Sequence, residues 1–173
     1  ANGSNEVMLH LLQAFGGPGR TALSFAPTYS MYPEYARDTS TGWVTGHRES
    51  DFTLEAEAAV SLLREVRPAV VLLPSPNNPT GTALERDVLT ALLDAAATSG
   101  PLTAKGHPTA SVVVVDEAYA EFRRTGTPSA LELLAHYPHL AVTRTMSKAF
   151  GMAGARVGYL AAAPALVNVL RVV

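Results

Sequence analysis

Short, continuous apolar runs alternate along this chain with longer segments in which apolar residues recur at helical spacing. Runs rich in valine and leucine are typical of strands that are buried on both faces of a sheet. These runs predict strands at residues 21–26, 43–45, 69–73, 112–115, 140–144 and 156–162. The helical spacing predicts helices at residues 29–36, 53–66, 85–97 and 131–135, and an earlier one that ends at Phe15.

The order of these elements predicts the fold class. Strands that alternate with helices form a mainly parallel sheet, because each helix returns the chain to the same edge of the sheet. The last predicted strand is reached through a loop without a helix, so we expect it to run back beside the strand before it. The sequence therefore predicts an α/β layer fold with one antiparallel strand.

Two predicted helices follow polar residues that can accept hydrogen bonds from free backbone N–H groups. Ser4 or Asn5 is the expected cap of the first helix, and Asp51 or Thr53 is the expected cap of the third. The free N–H groups after Gly3 form an anion site if they face a ligand, and an ordinary helix start if they do not. The residues alone leave both interpretations open.

The composition places the chain among globular proteins. Of its 173 residues, 47% are hydrophobic and 16% are charged, which is sufficient for one buried core. The net charge of -2 and the lack of a basic cluster argue against a nucleic-acid or membrane-surface partner. There is no cysteine, no apolar run of transmembrane length and no metal-binding spacing among the five histidines. We therefore expect no nucleic acid, membrane or metal among the partners.

Polar side chains follow two of the buried strands, at the point where each strand ends. The loop at 75–81 contains two prolines and a glycine, which hold the amide of Asn78 in one orientation, either in a plain turn or toward a ligand. Asp116 comes directly after four valines, where a buried carboxylate requires a compensating partner. A metal, a ligand nitrogen or a structural arginine can each meet this requirement. Tyr119 follows three residues later.

Lys148 is one of only two lysines in the chain, the other being Lys105. It follows a predicted strand and lies among small and apolar residues, with the hydroxyls of Thr145 and Ser147 before it. Such surroundings favour a desolvated, partly neutral amine, which is a nucleophile, and a nearby cation such as Arg156 has the same effect. By itself, a lysine after a strand is also a common solvated surface residue.

The carboxyl ends of parallel strands meet at one edge of a sheet, so the amide, the carboxylate and the amine described above are expected to converge there. Their sequence contexts are SPNNPTG at 75–81, VDEAYAEF at 115–122 and TMSKAFGMAGARVGY at 145–159. This ordered set resembles the pyridoxal-phosphate-dependent aminotransferases of the aspartate-aminotransferase fold. With GSNE at 3–6 and PTYSMY at 27–32, the chain is most similar to the histidinol-phosphate branch of that family.

The resemblance implies a role for each of these residues. Lys148 attaches to the aldehyde of the cofactor and then acts as general base and acid toward the amino substrate. Asp116 keeps the pyridine nitrogen of pyridoxal 5'-phosphate protonated, while Asn78 and Tyr119 hydrogen-bond its phenolic oxygen. Tyr29 stacks on the pyridine ring. The remaining implied contacts are with the phosphate group and come from Ser4, Asn5, Thr145, Ser147 and Arg156.

The same resemblance implies a three-layer α/β/α sandwich that forms the cofactor-binding large domain over residues 1–173. An N-terminal arm and a C-terminal small domain, which carries the substrate-carboxylate arginine in relatives, are expected outside this chain. The implied reaction transfers an amino group between histidinol phosphate and 2-oxoglutarate in histidine biosynthesis. The implied enzyme is a cytoplasmic homodimer.

Three alternatives remain on the sequence alone. The first is another enzyme of the same fold, such as an aromatic aminotransferase or a threonine-phosphate decarboxylase. The second is a non-catalytic sensor with an aminotransferase-like domain, which retains the site without turning over a substrate. The third is an α/β domain without a cofactor, which requires all the motifs to agree by coincidence.

Overall fold

A six-stranded sheet runs through the centre of the protein, and the computed structural model describes all 173 residues. The strands are β1 (Thr21–Ala26), β2 (Gly42–His47), β3 (Val70–Pro74), β4 (Val112–Asp116), β5 (Leu140–Thr145) and β6 (Gly158–Ala162). The helices are α1 (Ser4–Phe15), α2 (Tyr32–Asp38), α3 (Ala56–Val66), α4 (Arg86–Ala96) and α5 (Pro164–Leu170). Short 3₁₀ segments lie at Ala120–Phe122, Ala130–Leu133 and Ala153–Ala155, and the second of these replaces the helix predicted at 131–135.

The strands lie in the order β2-β1-β3-β4-β5-β6, and only the last pair is antiparallel. The predicted mainly parallel sheet with one antiparallel strand is therefore confirmed. The carboxyl ends of β3, β4 and β5 lie side by side, because Pro74 pairs with Asp116 and Asp116 with Thr143. β6 begins opposite Thr145 and thus at the same edge. This edge carries the polar residues that the sequence singled out.

Helices cover both faces of the sheet, which gives three layers. Alternate residues of a strand point to opposite faces, as the pleat requires. Val71 and Leu73 pack with α3 and α4 in one hydrophobic cluster. Val70 and Leu72 pack with α1, α2 and α5 in a second cluster on the other face. All four side chains are buried, and the three-layer α/β/α sandwich is confirmed.

The start of α1 differs from the prediction. Gly3, and not Ser4 or Asn5, occupies the cap position, and no side chain accepts a hydrogen bond there. The backbone of Gly3 has a φ of 81°, and a Cβ atom would lie 2.6 Å from a terminal nitrogen of Arg156. The left-handed backbone therefore favours glycine, and any side chain here would push the guanidinium of Arg156 aside. Ser4 and Asn5 become the first helical residues, so their backbone N–H groups lie in the free first turn.

Two other helix starts were wrongly predicted. The cap of α3 is Glu55, whose carboxylate accepts hydrogen bonds from two N–H groups of the first turn. Asp51 and Thr53, the expected caps, instead bond to each other in the turn before the helix. α2 begins at Tyr32 and not at Tyr29, which leaves Tyr29 in the loop after β1.

Two features that would suggest other kinds of function are absent from the structure. None of the helices has both the length and the apolar character that a bilayer crossing needs, and α1, the longest, has 12 residues. No group of three or more histidine, cysteine, aspartate or glutamate residues is arranged to hold a metal ion.

Candidate active site

One cleft at the carboxyl edge of the sheet brings together all the residues that the sequence analysis proposed as a site. Its volume is about 580 Å³ when the space open to solvent is included. The proposed residues that line it are Lys148, Ser4, Asn5, Tyr29, Asn78, Asp116, Tyr119, Thr145, Ser147 and Arg156. The lining is completed by Pro74, Pro76 and Ala118. The loops after β1, β3, β4 and β5 and the start of α1 thus meet at one place.

Asp116 is the buried charged residue of the cleft, with 7% of its surface exposed. Its carboxylate accepts hydrogen bonds from the hydroxyls of Tyr32 (2.8 Å) and Thr143 (3.1 Å) and from the backbone N–H of Ala118 (3.2 Å). Burial raises the pKa of Asp116 above its ordinary value; the three hydrogen bonds oppose this shift, and the charge of Glu117 adds to it. The compensating partners of Asp116 within this chain are therefore two hydroxyls and a backbone N–H group, and not the arginine considered in the sequence analysis.

Replacing Tyr32 with phenylalanine is expected to destabilise the protein by about 1.5–3 kcal/mol, because the buried carboxylate of Asp116 loses a charge-assisted hydrogen bond. The matched control is Tyr137→Phe, which removes a hydroxyl that donates to the exposed Asp94 at 2.9 Å. This control should change the free energy of unfolding by less than about 0.5 kcal/mol. Urea unfolding of both variants and the parent measures the difference. Equal losses in the two variants would contradict the role given to Tyr32.

The rings of Tyr29 and Tyr32 meet edge to face, with centroids 5.4 Å apart and planes at 87°. Tyr32 is fully buried, so its ring fixes the half-buried ring of Tyr29 at the wall of the cleft. Burial and the charge of Asp116 raise the pKa of Tyr32 well above its ordinary value. The hydroxyl of Tyr32 therefore stays protonated and remains a donor to the carboxylate.

The loop that carries Asn78 is held by its neighbour Asn77 as well as by its prolines. Asn77 is 3% exposed, and its amide nitrogen donates to the carbonyl of Pro27 (3.1 Å) and to the hydroxyl of Thr80 (2.7 Å). The first of these bonds joins the loop to the one after β1, which carries Tyr29. Asn78 and Tyr29 therefore belong to one connected wall of the cleft.

Lys148 differs from the expectation that its amine is desolvated. The residue is exposed, and its Nζ lies over the ring of Tyr119, 5.4 Å from the ring centroid. An aromatic face attracts an ammonium group without burying it, because the face carries the negative part of the ring quadrupole. The residues of this chain thus place the amine at the cleft while leaving it in contact with water.

A second group of lining residues surrounds the start of α1. The guanidinium of Arg156 donates to the carbonyl oxygens of Asn2 (3.2 Å) and Ala153 (3.1 Å), which leaves most of its donors free. Arg156 has a left-handed backbone (φ 52°) and lies before β6, although the strand was predicted to begin at this residue. The hydroxyl of Thr145 accepts from the N–H of Ser147 at 3.2 Å and so orders the turn after β5.

The start of β6 passes close to the start of α1. A Cβ atom at Gly158 would lie 2.3 Å from backbone atoms of Gly3 and Ser4, so only glycine fits there. Asn2 pairs with Val157 as an isolated antiparallel bridge at the same point. The contact holds the first turn of α1 against the loop that carries the guanidinium. Free N–H groups and a cation at one place form a region that favours an anion.

Three residues that support the site were not assigned from the sequence, namely Tyr32, Thr143 and Asn77. Thr143 carried a usable signal in the sequence, because it is a polar residue directly after the apolar run of its strand. The structure pairs it with Asp116. Tyr32 and Asn77 carried none, since a tyrosine and an asparagine beside a loop are compatible with many surroundings. Their roles depend on contacts with distant parts of the chain.

The fold and the cleft define a class of protein. The family model for aminotransferases of class I and II matches residues 1–173, and the chain belongs to that family. It is 57% identical over 173 residues to histidinol-phosphate aminotransferase of Bifidobacterium longum and 59% identical over 175 residues to that of Bifidobacterium adolescentis. Both matches cover 100% of this chain, which spans only 45% and 44% of the two relatives.

Solved structures have the same fold. Histidinol-phosphate aminotransferase from Sinorhizobium meliloti, in complex with pyridoxal-5'-phosphate, has a TM-score of 0.85 at 21% identity. That match covers 100% of this chain and 44% of the other. Aspartate aminotransferase from Thermus thermophilus with maleate has a TM-score of 0.80 at 25% identity, covering 97% of this chain and 41% of the other. The fold implied by the sequence resemblance is confirmed.

Proposed function

We propose that this chain is the cofactor-binding part of a pyridoxal-phosphate-dependent aminotransferase that acts on histidinol phosphate and 2-oxoglutarate in histidine biosynthesis. The observation that carries the proposal is the single cleft in which an amine, a buried carboxylate, an amide and an anion-binding helix start meet. The choice of substrate is supported by the relatives named above, which are 57% and 59% identical to the chain.

The surroundings of Asp116 fit the protonated ring nitrogen of pyridoxal phosphate. A carboxylate offers about four lone-pair positions, and Tyr32, Thr143 and Ala118 occupy three of them, which leaves one acceptor position for a further donor. The raised pKa of Asp116 means that the present donors do not offset its burial. A positively charged N–H group would offset it, and Asp116 would in turn hold the proton on that nitrogen.

The residues around the start of α1 fit the phosphate ester of the cofactor. Ser4 and Asn5 offer free backbone N–H groups at the positive end of the helix, and Arg156 adds a charged, forked donor. The hydroxyl of Ser147 lines the same cleft as an additional donor. The hydroxyl of Thr145, which donates to the carbonyl of Val157 at 3.4 Å, would have to turn toward the phosphate to donate as well. Together these groups would hold the phosphate through several charge-assisted hydrogen bonds and so fix the position of the ring.

Three further residues would hold the ring of the cofactor. We assign the amide of Asn78 and the hydroxyl of Tyr119 to the phenolic oxygen, and the ring of Tyr29 to the face of the pyridine. The bond from Asn77 to Pro27 and the edge-to-face contact under Tyr29 support this assignment, because both restrict movement of the wall. A wall that is already ordered loses little entropy when a ligand binds.

Lys148 is the amine of the cleft and would carry out the proton transfers. Pyridoxal phosphate, when bound, supplies an electron-withdrawing ring that stabilises negative charge on the substrate α-carbon. The Nζ of Lys148 would anchor the cofactor covalently until the amino group of the substrate displaces it. The freed amine would then take the α-proton as a general base and return a proton as a general acid. Because the amine is exposed here, parts of the enzyme outside this chain would have to exclude water from it.

We further propose that the whole enzyme is a cytoplasmic homodimer with an N-terminal arm and a small domain outside residues 1–173. The chain spans 45% of the relative from Bifidobacterium longum, so an arginine for the substrate carboxylate has room elsewhere in such a protein. Large apolar side chains flank the Lys148 loop and are 54%, 46% and 44% exposed at Phe150, Met152 and Tyr159. Burial of such a group against a second copy is favourable.

The substrate is tested with the purified full-length protein and 2-oxoglutarate as the amino acceptor. We expect kcat/KM for histidinol phosphate to exceed that for phenylalanine by at least about 100-fold, because the full-length enzyme would need a second site for the phosphate of the substrate, and such a site penalises a substrate without one. A preference for phenylalanine would indicate an aromatic aminotransferase, and release of carbon dioxide from threonine phosphate would indicate a decarboxylase. Cofactor binding without turnover of any of them would indicate a sensor.

A further inference from the structure

A buried ion pair lies on residues that are adjacent in sequence to two residues of the cleft. Glu117 follows Asp116 at the end of β4, and Arg144 precedes Thr145 at the end of β5. The Nε of Arg144 donates to Oε2 of Glu117 at 2.8 Å, and a terminal guanidinium nitrogen lies 2.5 Å from the same oxygen. The two side chains are only 13% and 4% exposed.

Further hydrogen bonds complete this network. The carboxylate of Glu117 accepts from the hydroxyl of Ser129 (2.9 Å) and from the backbone N–H of Ala130 (2.7 Å). Arg144 donates to the carboxylate of Glu121 at 3.0 Å and to the hydroxyl of Ser129 at 3.2 Å. A buried pair with satisfied partners contributes little more stability than apolar residues of the same volume. Stability alone is therefore a weak explanation for the pair.

The pair links the two strand ends that deliver the reactive groups. On one face of the sheet, Thr143 of β5 donates to Asp116 of β4 at 3.1 Å. The residues that follow these two, Arg144 and Glu117, form a second side-chain hydrogen bond between the same two chain segments. The residue after Arg144 is Thr145, which begins the turn toward the amine of the cleft. Asp116 and Glu117, at the end of β4 and just after it, thus each bond to one of two consecutive residues of β5.

We propose that the Glu117–Arg144 pair positions the cofactor site, because it fixes Asp116 relative to the turn after β5 and keeps the charge beside Asp116 balanced. This inference rests on the proposed pyridoxal-phosphate site. Loss of the cation leaves the negative charge of Glu117 uncompensated next to Asp116. Loss of the Glu117 carboxylate removes a negative charge from the same place, although Arg144 keeps Glu121 as a partner. The other titratable or charged groups around Asp116 are two tyrosines of α2 and four residues of the cleft, namely Tyr32, Tyr35, Tyr29, Tyr119, Lys148 and Arg156.

The experiment uses the full-length protein loaded with pyridoxal phosphate and follows the pH midpoint of the visible absorbance of the bound cofactor. Arg144→Met should raise the midpoint by about 0.5 pH unit or more, because added negative charge favours the protonated cofactor. Glu117→Gln should lower it by a similar amount, since it removes a negative charge beside Asp116. The double variant should return to within about 0.2 pH unit of the parent, and Arg144→Lys should keep the parent midpoint.

Two further measurements separate positioning from simple support of the fold. The dissociation constant for pyridoxal phosphate should rise about tenfold in Arg144→Met, because the cofactor is an anion. The melting temperature reports stability independently. Arg37→Met breaks exposed ion pairs with Glu34 and Asp38 and should move neither the midpoint nor the dissociation constant.

Midpoints that stay within about 0.2 pH unit of the parent, or that move in the same direction in both single variants, overturn the proposal even if the melting temperature falls. If Arg144→Met does not fold, Glu117→Gln and the double variant retain the test, because a downward shift and its cancellation are each measurable. Failure of the proposed cofactor site is distinguishable from these outcomes, since the parent itself would then not bind pyridoxal phosphate, and failure of the proposed reaction is seen separately in the substrate assay.

Discussion

Replacing Lys148 with alanine is expected to lower kcat of the full-length protein by at least about 10⁴-fold, because one amine serves as general base, general acid and covalent anchor. Steady-state kinetics with histidinol phosphate measure this loss. Borohydride reduction of the cofactor-loaded protein, followed by peptide mass analysis, should find the cofactor on the peptide that contains Lys148. The variant should carry no such label.

Lys105→Ala is the matched control, since Lys105 is the only other lysine of the chain and lies exposed in the loop between α4 and β4. It should leave both kcat and the borohydride label unchanged. A label found on Lys105, or a Lys148→Ala variant that keeps more than about a tenth of the parent rate, would sink the assignment.

Asp116→Asn should lower kcat by about 10²–10⁴-fold while leaving the fold intact. The amide can accept from Ala118 and Thr143 and donate to the hydroxyl of Tyr32, so the hydrogen bonds around it persist. What is lost is the negative charge that would keep a proton on the ring nitrogen. Asp87→Asn, an exposed carboxylate in the first turn of α4, is the control and should stay within about twofold of the parent.

The same Asp116→Asn variant should be more stable than the parent when both are free of cofactor at neutral pH. Burial raises the folded-state pKa of Asp116 above its unfolded value, so the ionised carboxylate costs stability at any pH above the folded-state pKa. This cost disappears as the pH falls through that value, because the carboxyl group takes up a proton in the folded state. Urea unfolding at neutral pH and near pH 4 measures the difference, and an advantage that grows on acidification would contradict the explanation.

The sheet could be predicted from the sequence because its strands have no other plausible placement. The valines before Asp116 and the run before Ser75 are apolar on both sides, so each needs cover on both faces. The helix between them then requires a parallel pairing. The cleft followed from the same reasoning, since parallel strands end at one edge and Asn78, Asp116 and Lys148 each come after such an end.

The partners within the site could not be predicted in this way. Tyr32 donates to Asp116 across 84 positions, and Asn77 donates to Pro27 across 50. A local pattern of apolar and polar residues indicates which side chains are buried, but it does not indicate which distant group each of them contacts. The cap of α1 could not be predicted for the same reason, because the side chain beside Gly3 belongs to the distant residue Arg156.

The exposure of Lys148 could not be predicted from the sequence, for a different reason. Small and apolar neighbours predict a desolvated amine only if they fold over it, and here Phe150 and Met152 are themselves 54% and 46% exposed. Composition near a residue therefore predicts its surroundings poorly when the residue lies in a loop. Strand residues are predictable because the pleat fixes the direction of their side chains.

The anion-binding region joins residues from distant parts of the sequence. Arg156 donates to the carbonyl of Asn2 across 154 positions, and Gly158 packs on the backbone of Gly3. Contacts across such separations close large loops and therefore form late relative to neighbouring strand pairs. The strands β1 to β5 precede Arg156 and Gly158 along the chain, so during synthesis they can pair before the surroundings of Gly3 are complete.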